Sequence, residues 1–93
     1  MSNIKYKKQL YTGDEYLQFE TAIEATLTEG KSYGVQFQGD VSNGIMLCEY
    51  ATKPTEEGYL VNTIKPFKYT KETDPLWVKV NNRKSVKVNI AEA

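Results

Sequence analysis

Three acidic pairs are the residues best placed, by type and spacing, to do chemistry: Asp14 with Glu15, Glu56 with Glu57, and Glu72 with Asp74. Two carboxylates flanking a glycosidic bond can divide the roles of acid and nucleophile or base, as in glycoside hydrolases. Each pair falls in a stretch of turn composition, where neighbouring acids ordinarily form a solvated loop. The remaining catalytic repertoire is missing. The chain has no histidine, so it lacks the commonest general base and metal ligand, and Ser–His–Asp or Cys–His arrangements are excluded.

Cys48 is the single cysteine. It forms no internal disulfide and, without histidine, builds no structural zinc site within the chain. Its place in an apolar run fits a small buried hydrophobe. Gly30, Gly34 and Gly39 follow neither a Walker nor a dinucleotide spacing, and Asp40-Val41-Ser42-Asn43-Gly44 lacks the ligand spacing of a calcium loop. No catalytic, cofactor-binding or metal-binding residue is therefore expected.

Residues that could recognise a partner are easier to name. Lys5, Lys7 and Lys8 flank Tyr6, a basic cluster that either protects an exposed strand edge or docks on an acidic partner. Trp77 lies beside Lys79. It could stack on a sugar or a base, although a lone Trp on a β segment more often packs under a loop or against a second sheet. Seven tyrosines against three phenylalanines suit core edges and interfaces alike. Twelve basic residues balance twelve acidic ones, so nothing draws the whole chain toward nucleic acid or an anionic membrane. No apolar stretch approaches a membrane span, and Met1-Ser2-Asn3-Ile4-Lys5 lacks a signal-peptide core, which places synthesis in the cytoplasm.

Short β segments must position these residues. At 93 residues the chain has room for one domain, with residues 1–12 an N-terminal arm or edge strand. Between Leu17 and Thr28 two periods compete. Alternation puts Leu17, Phe19, Ile23, Ala25 and Leu27 on one face. Helical spacing joins Tyr16, Phe19, Ile23 and Leu27, with Asp14 as a cap. Thr21, Thr26 and Thr28 favour strand, and Glu29-Gly30-Lys31-Ser32 then makes a hairpin turn.

Tyr33, Val35 and Phe37 alternate as a half-buried strand. Asn43-Gly44 is the strongest turn signal, Ile45 to Tyr50 is a strand, and Lys53 to Gly58 is a loop. Tyr59 to Lys65 reads as a strand ended by Pro66, and Phe67 to Thr70 as a short one. Leu76, Val78 and Val80 share one face, as do Val86, Val88 and Ile90, and Asn81-Asn82-Arg83-Lys84 is expected to close the two into a hairpin. Six to eight short strands predict an all-β domain, a small antiparallel sandwich or barrel. Its core should contain Ile23, Leu27, Val35, Phe37, Leu47, Leu76, Val78, Val80, Val86, Val88 and Ile90.

One further pattern is longer. Leu27-Thr28-x-Gly30-x-x-Tyr33 leads into Val35-Gln36-Phe37-Gln38-Gly39, and an apolar strand ends Glu49-Tyr50-Ala51 before Pro54. Leu76-Trp77-Val78-Lys79 follows, then a valine strand closing on Ile90-Ala91-Glu92-Ala93. Over residues 27–93 this resembles a loosely defined group of small tailed-phage virion proteins of the head-decoration or head-fibre type. The first twenty-odd residues match no pattern of that group. The resemblance implies no catalytic residues and no cofactor. It implies a structural protein of the virion, bound in many copies to the major capsid or another virion protein, and a homo-oligomer. A carbohydrate-binding or host-protein-binding module is the alternative, using Trp77 and tyrosines as platforms or adding a strand at an edge.

Overall fold

Alternation of buried and open residues along Tyr33–Phe37, Leu76–Val80 and Val86–Ile90 gives each strand one apolar face, which must be covered by a second layer. The computed structural model describes residues 6–10 (backbone only), 12, 15–39, 41, 44–55, 58–80 and 86–92. Among them are β1 (Tyr6–Leu10), β2 (Leu17–Gln18), α1 (Phe19–Ile23), β3 (Ser32–Gly39), β4 (Ile45–Glu49), β5 (Tyr59–Val61), β6 (Phe67–Thr70), β7 (Leu76–Val80) and β8 (Val86–Glu92).

The strands form two four-stranded antiparallel sheets, ordered β1-β8-β3-β6 and β2-β7-β4-β5. In the first sheet Val35 is registered with Ile90 and Phe37 with Val88. In the second, Ile45 meets Val80 and Leu47 meets Val78. These apolar rows face one another and form a single core, so the molecule is a small all-β sandwich. Each residue expected in the core is buried, and Tyr16, Phe19, Tyr33, Val41, Ile45, Met46, Val61 and Tyr69 join them. No helix among the described residues is long and apolar enough to cross a membrane.

Four local expectations are corrected. Of the strand expected from Leu17 to Thr28 only Leu17–Gln18 forms: Phe19–Ile23 is helical, and Ala25 to Thr28 have no regular structure. Phe19 and Ile23, four apart, bury together on one helix face, and that packing outweighs the weak strand preference of the threonines. Glu24 takes a left-handed conformation (φ 57°), its amide and that of Ala25 reaching back to the Thr21 and Glu20 carbonyls and ending the helix. Its N-cap is Gln18; Asp14 lies outside the described residues.

Gly30 does make a turn, at φ 86°, but the turn joins an irregular segment to β3 and closes no hairpin. Its amide donates to the Lys71 carbonyl, and Lys71 donates to Lys31, which extends the β3–β6 ladder. The strand expected from Tyr59 to Lys65 stops at Val61.

The expected C-terminal hairpin does not form, because β7 and β8 belong to different sheets. β7 has β2 on one edge and β4 on the other, which leaves no edge for β8. β8 instead lies between β1 and β3, paired with β3 along its whole length from Val86 to Glu92. Residues 81–84, the expected turn, lie outside the described residues.

Candidate functional site

Trp77 projects from the outer face of the second sheet, registered with Gln18 on one side and Cys48 on the other. Its Nε1 donates to the Tyr50 carbonyl at 2.9 Å and the side chain is half-buried. The indole therefore ties the end of β4 to β7. Cys48 is likewise half-buried. Next to Trp77, the Lys79 ammonium sits 5.0 Å from the centre of the Tyr16 ring, and the Tyr16 hydroxyl accepts the Gly58 amide. Gly58 has no room for a side chain, since a Cβ there would collide with the Leu47 carbonyl oxygen.

Tyr6, Lys7 and Lys8 lie in β1, the edge strand of the first sheet, registered with Ile90, Asn89 and Val88. Lys5 is outside the described residues, as are Asp14, Glu56 and Glu57. Glu15 pairs loosely with Lys53 at 3.7 Å on the surface. Among the described residues no three Cys, Asp or Glu side chains converge to hold a metal ion.

A large open surface feature lies elsewhere, on the side where β5 and β6 are the outermost strands. α1 packs against β7, β1 and β2 and sets Phe19 edge-on to Tyr69 of β6. The seam it closes with Leu27, Tyr69 and Leu76 retains only about 10 Å³, room for one water. Between β5 and β6, by contrast, an open cleft of about 480 Å³ runs over Leu47, Tyr59, Val61 and Phe67. It continues for about 240 Å³ toward Glu49, Tyr69 and Leu76.

Register puts Tyr59 opposite Leu47, on the inner face, yet Tyr59 is 77% exposed because the first sheet does not reach over it. Leu60, on the outer face beside Met46, is 49% exposed, and Ile64 just beyond β5 is 57% exposed. Large apolar side chains are thus uncovered on both faces of this edge strand and just beyond its end.

The cleft has unlike ends. At one lies Glu49, whose carboxyl is raised above its usual value by burial and then by the nearby charges of Glu72 and Asp74. Among the described residues no cation pairs with these three carboxylates. At the other end is Lys65, with Asn62 and Thr63. The acidic pair Glu72 and Asp74 thus stands with Glu49 beside a largely apolar cleft that Cys48 also lines. No protein-family model, curated protein or solved structure matches this chain.

The sequence had one signal for this site. Tyr59-Leu60-Val61 is a continuous apolar run, not an alternating one, and a strand of that kind exposes apolar surface unless both faces are covered.

The same end of the cleft gives a titration test. Burial, then the charges of Glu49 and Glu72, push the Tyr69 phenol up to about 12. An absorbance titration should show a phenol ionising near that pH, and Tyr69→Phe should remove the step. Since the folded value lies above the unfolded value of about 10, this stabilising contribution holds below that pH. It is lost as the pH rises through about 12.

Proposed function

We propose that this protein works by binding, as a structural component of a phage particle held in many copies on a capsid or other virion surface. The observation that carries the reading is the uncovered cleft with the exposed Tyr59 and Leu60 at its rim. An apolar surface of this kind on so small a domain suits a protein contact in the working state. Its lining is mostly apolar, with Asn62, Thr63 and Lys65 gathered at one end. The virion partner is supported by the resemblance over residues 27–93 and by the small sandwich fold. Many copies on a repeating lattice let a modest contact hold well, through effective concentration.

The basic segment Lys5, Tyr6, Lys7 and Lys8 is the proposed contact with the shell. Tyr6–Leu10 is a paired strand, so deletion would strip an edge from the sheet; charge reversal is the sharper experiment. Purified particles should contain the protein in high copy number by mass spectrometry. Lys5→Glu/Lys7→Glu/Lys8→Glu protein should remain folded and lose at least about tenfold in occupancy, since like charges then face the proposed acidic shell. Absence of the intact protein from purified particles refutes the virion reading. Normal occupancy of the triple variant refutes the basic contact. An edge strand with apolar neighbours also suits strand addition by a host protein, and capture of such a protein in place of particles would favour that alternative.

A further inference from the structure

We infer that the β5–β6 cleft is covered by a second copy of this chain, the two β5 edges pairing antiparallel about a twofold axis at Leu60. The inference rests on the reading of the cleft as a protein contact and is independent of the virion assignment. Three observations select a second copy over an unrelated partner.

The first is the edge itself. Among the described residues β5 pairs with β4 on one side only, which leaves the backbone donors and acceptors of its other edge available for a further strand. Antiparallel pairing of two identical strands is self-complementary: with Leu60 on the axis, Tyr59 of one copy lies opposite Val61 of the other. The two four-stranded sheets then join into one continuous sheet through the dimer.

The second is what remains exposed. Tyr59 is an inner-face residue without a layer above it, and Leu60 stands open on the outer face of the same strand. A twofold mate sets Leu60 against Leu60 on the outer face and its Val61 against Tyr59 on the inner face, so apolar surface on both copies leaves water together.

The third is charge. Glu49, Glu72 and Asp74 lie beyond the Tyr59 end of the cleft and Lys65 beyond the Val61 end. Reversing the direction of the second copy sets the acidic end of each against the lysine end of the other. A parallel arrangement would stack like on like. The chain's overall charge is zero, so no long-range repulsion opposes the pairing.

Sedimentation equilibrium of the full-length protein tests this. A monomer–dimer equilibrium is expected, with mostly dimer at about 200 µM and dissociation on dilution. Lys65→Glu alone, or Glu49→Lys alone, should weaken the dimer by about tenfold or more, because each sets like charges face to face. The double variant, which exchanges the two charges, should regain affinity to within about threefold of the parent. Both positions are exposed, and circular dichroism should show all three variants folded. A monomer at the highest concentration overturns the inference. So does a trimer or larger ring, which a twofold contact cannot build, or a double variant no tighter than the singles. Particle occupancy, measured separately, reports on the virion reading whatever the dimer does.

Discussion

Val88→Asp protein is expected not to fold. Val88 is fully buried in β8, the strand held between β1 and β3, and is registered with Phe37. A carboxylate there would have neither water nor a cation, at a cost of several kcal/mol. A domain of this size has about 5 kcal/mol in total, so the one substitution is enough. Lys87, the preceding residue, points outward and is exposed. Lys87→Asp should therefore change stability by no more than about 0.5 kcal/mol. Far-UV circular dichroism and urea unfolding of the pair give the comparison. Soluble, native-like Val88→Asp protein would mean that this face of β8 meets solvent.

Phe19→Ala should lower stability by about 3–5 kcal/mol. The ring is 1% exposed, and its centre lies 6.4 Å from that of Tyr69 in an edge-on arrangement. Its removal would open a cavity beneath α1 that the neighbouring strands cannot fill. The helix is tested separately at Thr21, which is exposed in its middle. Thr21→Ala should stabilise by up to about 0.5 kcal/mol, since alanine is the better helix former. Were this segment a strand, the same change would destabilise, because threonine suits a pleated surface. Urea denaturation of the two variants reads both effects, and a destabilised Thr21→Ala would count against the helix.

Which residues are inside was legible before the fold was known, because alternation is a local property. Val86, Val88 and Ile90 must share a face in any strand that contains them. Which strand they lie against is not local. The same alternation serves a hairpin with β7 or a place between β1 and β3, and only the free edges of the assembled sheets decide between them. At Phe19 and Ile23 the ambiguity is of another kind, since a spacing of four fits both a helix face and a strand face. Tertiary packing under Tyr69 resolves it.

The cleft was the least legible feature. Tyr59-Leu60-Val61 reads as a strand from its residue types, but its exposure depends on how far the opposite sheet extends. Trp77, the most conspicuous residue in the sequence, proved to be tied to the Tyr50 carbonyl. The exposed apolar surface belongs to quieter residues on a three-residue strand.

The position of β8 bears on how the chain comes to be folded. β8, the most C-terminal of the described strands, lies in the interior of its sheet, with Tyr6 meeting Ile90 and Val35 meeting the same residue from the other side. Until Val86–Glu92 has been synthesised, β1 has no strand to pair with and β3 lacks one of its two. The early part of the chain must wait with apolar strands unsheltered, and its closure spans almost the whole sequence. Contacts so distant in sequence make folding slow and all-or-none. A chain interrupted before β8 cannot hide its own strands, so premature termination should yield aggregates and not a smaller folded product.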